Sequence, residues 1–140
     1  MINAFKKKNM KNKCENCGEC CLRTEMILSK NDIENIMKNS TNNLQKEDFV
    51  FKNKDGFFQL KNISEHCVFF DILSKQCKIY DYRPQGCRFY PLIFDFNEQD
   101  CIFDKDCPRP HLFYKDKTKL KKTCKDLSVF LKQELGLNLN

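Results

Sequence analysis

The chain predicts a small single-domain α+β fold, cysteine-rich and organised by metal, with short β-hairpins and a C-terminal amphipathic helix. Three observations carry this expectation. Ten cysteines are distributed along 140 residues. Short aromatic and β-branched runs alternate with polar turns between about residues 49 and 103, the mark of small antiparallel ribbons. Near the C-terminus the apolar residues recur at helical spacing.

Length and composition allow a packed core. A chain of this size buries roughly 68% of the surface its unfolded form exposes, and 41% of its residues are hydrophobic, including 13 Phe. The start, Met1-Ile2-Asn3-Ala4-Phe5-Lys6-Lys7-Lys8, has no apolar run of signal-peptide length, and no stretch reaches the length of a membrane span. A cytoplasmic location without membrane attachment is therefore expected. Thiols in that compartment stay reduced and bind metal more often than they pair. The formal charge of +6 overstates the positive field, because two anionic thiolate-metal centres would lower it to about +2. The lysines of 6–13 and 115–125 read as solvated faces and not as a nucleic-acid interface. A redox partner or an acidic protein is the expected contact.

Residues 1–13 form a basic lead-in, and 14–140 a single cysteine-cluster domain. After the first cysteines, Ser29 with Asp32 three positions on reads as a capping box, and Ile33, Ile36 and Met37 follow at helical spacing, predicting a helix near 30–39. Phe49-Val50-Phe51, Asp55-Gly56 and Phe57-Phe58-Gln59-Leu60 read as a hairpin. Cys67-Val68-Phe69-Phe70-Asp71 and Cys77-Lys78-Ile79-Tyr80 predict a second, with a cysteine opening each arm. Asp81 is placed to cap a short turn through Tyr82-Arg83-Pro84, which Pro91 stops just past Cys87. Leu92–Phe96 and Asp100–Phe103 predict a third strand pair. From about Asp116 to Leu135, the positions Leu120, Cys124, Leu127, Leu131 and Leu135, with Phe130 beside them, share one helical face, and Gly136 ends it.

The densest chemistry lies in C-E-N-C-G-E-C-C, which holds Cys14, Cys17, Cys20 and Cys21. Successive C-x-x-C steps let thiolates converge on one soft metal. Cys67, Cys77, Cys87, Cys101, Cys107 and Cys124 follow. Cys124 sits on the apolar stripe of the last helix and reads as a buried inert thiol; Cys101, on a strand face with Phe103, reads as a core or spare thiol. Eight cysteines remain: Cys14, Cys17, Cys20, Cys21, Cys67, Cys77, Cys87 and Cys107.

Those eight, with the string Cys77-Lys78-Ile79-Tyr80-Asp81-Tyr82-Arg83-Pro84-Gln85-Gly86-Cys87-Arg88-Phe89-Tyr90-Pro91, resemble the YkgJ-type cysteine-cluster family, also described as the CxxCxxCC zinc- or iron-chelating domain. The resemblance covers about residues 14–108 and implies an eight-cysteine metal-chelating domain. The family has no one common reaction: members are described as Fe-S oxidoreductases and the flagellin lysine methylases look like relatives, so Fe-S oxidoreductase and cluster-dependent transferase chemistry are the candidates the resemblance offers. In the family the late cysteine often opens a C-P-G segment; here Cys107-Pro108-Arg109 lacks that glycine.

C-x-x-C-x-x-C with a distant Cys-Pro matches the ferredoxin-like pattern in which three close sulfurs and one remote sulfur hold a cubane. A [4Fe-4S] iron-sulfur cluster with a redox role is therefore the first expectation, and a zinc-stabilised binding module or metal carrier the alternative. Side chains of adjacent residues diverge, so Cys20 and Cys21 suggest two sites: Cys14, Cys17, Cys20 and Cys107 for one, Cys21, Cys67, Cys77 and Cys87 for the other. A single cluster with the remaining thiols structural is the other arrangement. Arg83 and Arg88 flank Cys87 and are candidate cofactor-binding residues, donating to thiolates or pairing with a carboxylate such as Asp81. His66 and His111 read as ordinary surface histidines, and Tyr80, Tyr82 and Tyr90 as packing. No catalytic residue is assigned, since no Ser-His-Asp order, glycine-rich phosphate loop or paired-carboxylate motif is visible.

Overall fold

The computed structural model describes residues 21–40, 43–108, 110 and 113–139. The expected lead-in and Cys14, Cys17 and Cys20 lie outside the described residues, as does His111. The fold is a mixed α+β domain with four α-helices among the described residues and small antiparallel strand groups.

Strand β1 (Ile27–Leu28) leads into α1 (Lys30–Asn39). The capping box expected from the sequence is present: the Asp32 N–H donates to Ser29 Oγ at 3.0 Å and the Ser29 N–H to Asp32 Oδ2 at 3.0 Å. Ile33 and Ile36 turn inward from this helix, whereas Met37, one position further round, is exposed. A single-turn helix, α2 (Lys46–Phe49), precedes β2 (Val50–Lys52), with the Gln45 N–H donating to Asp48 Oδ2. Phe49 therefore belongs to a helical turn and not to the strand in which alternation placed it.

β2 pairs with β3 (Phe58–Leu60) in the register Val50↔Leu60, Phe51↔Gln59 and Lys52↔Phe58, and β1 pairs on the other side of β3, giving the order β1-β3-β2. The predicted hairpin is thus the body of a three-stranded sheet. Its turn uses Gly56 at φ +87°, the left-handed backbone that glycine adopts without steric cost. Leu28, Ile36, Phe49, Val50 and Leu60 form the centre of the core, with Phe69, Phe70 and Ile79 packed on it.

The next ribbons keep the expected second hairpin but correct the place of Cys67 in it. β4 (Asn62–Ile63) pairs with β5 (His66–Cys67), placing Asn62 opposite Cys67. The expected hairpin itself joins β6 (Phe70–Asp71) to β7 (Gln76–Cys77), with Phe70 opposite Cys77. Two cysteines therefore lie on two adjoining ribbons instead of opening two arms of one. A 3-10 turn (Tyr80–Tyr82) follows, with Ile79 and not Asp81 at its N-cap position and no side-chain cap. The chain then enters α3 (Gln85–Phe89), which carries Cys87, and leaves through the cis Tyr90–Pro91 peptide.

β8 (Leu92–Asp95) and β9 (Asp100–Phe103) pair as predicted, from Leu92↔Phe103 to Asp95↔Asp100. The final helix α4 (Lys117–Val129) starts with the Thr118 N–H on Asp116 Oδ1 and continues as a π-turn through Phe130–Glu134. Gly136, at φ +69°, lies just beyond it. Leu127 and Phe130 are its buried anchors. No helix of the described residues is long and apolar enough to cross a membrane.

Candidate metal centre

Four cysteines from four separate segments line one small internal cavity. Cys21 is held beside the β4–β5 ribbon because Leu22 bridges to His66, the Arg23 N–H donates to the Glu65 carbonyl at 2.8 Å, and the Thr24 N–H to Asn62 Oδ1 at 3.0 Å. Cys67 comes from β5, Cys77 from β7, and Cys87 from the first turn of α3, its N–H donating to the Pro84 carbonyl at 2.9 Å. The cavity they share measures about 30 Å³, and Met26, Phe69 and Tyr90 complete much of its wall. Gly86 lets Met26 reach this wall: a Cβ there would collide with Met26 Sδ.

The helix that carries Cys87 is fixed by one buried carboxylate. Asp32, 4% exposed, accepts the Gln85 backbone N–H at 3.0 Å and Gln85 Nε2 at 3.2 Å on Oδ1, while its Oδ2 caps α1. Asp32→Ala would leave the backbone N–H groups of Ser29 and Gln85 without their acceptor. A loss of about 3 kcal/mol is expected, read as a fall in the unfolding midpoint, together with faster metal release to a chelator. Asp32→Asn, which keeps one acceptor oxygen, should lose less of both.

Cys67 is the most buried of the four sulfurs. Burial, reinforced by the neighbouring Cys77, pushes its thiol from 9.0 up to about 11, although the backbone N–H groups of Phe69 and Phe70 hydrogen-bond to it and favour the thiolate. Two N–H donors aimed at a sulfur in an apolar cavity are the environment that a metal-bound thiolate takes, with the metal supplying the positive charge that burial otherwise denies.

The donor set suits a soft or borderline cation, zinc or iron. The volume takes a body or two the size of water. Among the described residues no three of these sulfurs lie within 4.8 Å of one another. Four thiolates on one zinc stand about 3.8 Å apart, so ion binding requires these side chains to rotate inward.

The other predicted residues lie elsewhere. Cys107 follows β9, half-buried, its N–H on the Asp104 carbonyl at 3.1 Å, and it is not among the residues lining the four-cysteine cavity. Arg83 stacks on the Tyr80 ring at 4.0 Å, donates through Nη1 to the Tyr80 carbonyl at 2.7 Å, and leaves Nε buried without a partner. Arg88 is exposed, its Nε donating to the Arg83 carbonyl at 3.1 Å. Both arginines face a cleft against α4 with Tyr114 and Lys119. Arg83 thus binds a backbone carbonyl in place of the Asp81 carboxylate, which is exposed. His66 contacts the Cys67 carbonyl through Nδ1 at 3.0 Å and packs edge-on to Phe70. Tyr90 is buried, as packing requires, and also donates its hydroxyl to Asp104 Oδ2 at 2.9 Å.

Cys101 and Cys124 are a correction. Read as a core or spare thiol and a buried inert one, they are both half-buried and joined as a disulfide, with Cα atoms 5.9 Å apart. The apolar stripe that brings α4 onto the β8–β9 ribbon carries Cys124 to the strand end that holds Cys101. Nothing local in the sequence signals that pairing, since 23 residues separate the two.

These features define a class: a small α+β domain assembled around clustered cysteines. Residues 13–125 match the CxxCxxCC family, described as "Putative zinc- or iron-chelating domain", and the chain belongs to that family. The protein is accordingly a metal-chelating, cysteine-cluster domain. It is similar to an uncharacterized protein of Methanocaldococcus jannaschii, 34% identical over 82 residues, which is 56% of this chain and 43% of the relative. The chain thus spans less than half the length of that relative. No solved structure matches it.

Proposed function

We propose that this domain binds one zinc or iron ion through Cys21, Cys67, Cys77 and Cys87. The observation that carries the reading is the convergence of these four residues, from four segments, on a cavity of about 30 Å³. An ion there supplies a cross-link between the entry strand, two ribbons and α3, and its full thiolate ligation leaves no open position for substrate. The role of this site is to fix the fold and whatever the rest of the molecule presents.

A second centre is favoured by the spacing of Cys14, Cys17 and Cys20 with the remote Cys107-Pro108, which suits a [4Fe-4S] cluster and with it electron transfer or cluster-assisted chemistry. Anaerobic purification followed by elemental analysis and a visible spectrum tests both. Serine at Cys21, Cys67, Cys77 or Cys87 should remove one ion per chain and leave any brown chromophore; serine at Cys14, Cys17, Cys20 or Cys107 should remove the chromophore. Unchanged metal content in the first group would eliminate the one-ion site, and a colourless wild type holding stoichiometric zinc would eliminate the cluster.

A further inference from the structure

The strongest feature outside these sites is the cluster of Asp100, Cys101 and Cys124. Asp100 and Cys101 open β9, and Cys124 lies in the middle of α4. Asp100 Oδ1 accepts the Cys101 N–H at 2.7 Å and lies 3.9 Å from Cys124 Sγ. Among the described residues, this is the one trio of His, Cys or carboxylate groups whose ligand atoms all lie within 4.8 Å of one another. Neither cysteine belongs to the eight-cysteine set, and neither is needed for the ion proposed above.

Two sulfurs and a carboxylate oxygen around one zinc stand about 3.4 to 3.8 Å apart. The trio reaches that spacing once the sulfur–sulfur bond is broken, with small side-chain rotations. We propose that Asp100, Cys101 and Cys124 form a separate, redox-gated site for a soft divalent cation, zinc being the best match, and that the disulfide is its oxidised, metal-free state. Three protein ligands leave one coordination position open, and the half-buried sulfurs with an exposed Asp100 give ion and oxidant a path in. Helix α4 carries Lys121, Lys122 and Lys125 around Cys124; these oppose a hard cation on carboxylate alone, and the two thiolates are what make the site selective for a soft one.

The gating step balances with hydrogen peroxide as oxidant. Each thiolate gives up one electron as the sulfur–sulfur bond forms, the peroxide O–O bond takes both electrons and, with two protons, yields two waters. Zinc stays divalent and leaves because a disulfide sulfur no longer carries the charge that held it.

The test uses the full chain. Wild-type protein and Cys101→Ser/Cys124→Ser protein are reduced with a phosphine, loaded with zinc, cleared of loosely bound metal, and analysed for zinc and thiols before and after one equivalent of hydrogen peroxide. Reduced wild type should hold one zinc per chain more than the double variant, and peroxide should release that zinc with the loss of two thiols. Asp100→Asn should still form the disulfide while retaining less of this zinc. Equal zinc in the two reduced proteins would overturn the proposal. Should the double variant fail to fold, the comparison is made within wild type: a zinc content that does not change when these two cysteines are oxidised overturns it equally.

Discussion

Metal-stripped protein is expected to unfold at least about 10 °C below the metal-loaded form, and Cys67→Ala to reproduce that loss whatever metal is supplied. A ligand that binds only the folded state stabilises it by mass action, and structural zinc contributes of order 10 kcal/mol in small peptides. Here the core around Phe49 and Ile36 holds part of the fold without metal, so only a fraction of that figure appears. Even about 4 kcal/mol moves the midpoint by about 10 °C at this chain length. The pH dependence separates Cys67 from the rest. In the metal-free fold its thiol holds its proton up to about 11, against 9.0 ordinarily. Below pH 9 both folded and unfolded thiols are neutral and nothing is lost. Between about 9 and 11 the unfolded thiol ionises and the folded one does not, so metal-free protein loses about 2 to 3 kcal/mol across that window. Metal-free Cys67→Ala should lack this decline; parallel melting curves from pH 8 to 11 would show that Cys67 is not the buried thiol described. At neutral pH the same residue must give up its proton when metal enters, so uptake should acidify a weakly buffered solution, and less so in the variant.

Local signals made much of this fold legible. Ser29 and Asp32 mark the start of α1 because capping is a three-residue interaction. The β2–β3 and β8–β9 pairs follow from alternation around polar turns, and Leu127 and Phe130 from helical periodicity. The features that sequence left hidden depend on distant backbone. Cys67 pairs with Asn62 and not with the arm bearing Cys77, because Thr24 and Asn62 exchange hydrogen bonds across 38 residues and fix that ribbon against the entry strand. Asp81 fails to cap because the 3-10 turn begins two residues earlier than expected, at Tyr80, and takes Asp81 into its middle. Grouping Cys21 with Cys67, Cys77 and Cys87 came from the divergence of adjacent side chains at Cys20 and Cys21. The role of Asp32 in holding α3 had a legible half, the cap, and a hidden half, Gln85.

Phe49→Ala is expected to cost about 3 to 5 kcal/mol and to loosen the metal it never touches. Phe49 is fully buried, and its ring centroid lies 5.4 Å from that of Phe69. Its carbonyl accepts the Lys61 N–H at 2.9 Å, tying α2 to the strand ahead of the β4–β5 ribbon. Phe69 in turn lines the four-cysteine cavity and directs its N–H at the Cys67 sulfur. Alanine removes one wall of the pocket that holds the Phe69 ring, so the ring gains freedom and the N–H loses its fixed aim. Urea unfolding should show a lower midpoint with an unchanged slope, and metal transfer to a chelator should accelerate. Phe49→Leu, which refills most of the volume, should recover the larger part of both. The two readouts need not move together if Phe49 supports the core alone: a destabilised Phe49→Ala that releases metal at the wild-type rate would show that packing and site are uncoupled here, and that the Phe69 N–H is held by its own ribbon.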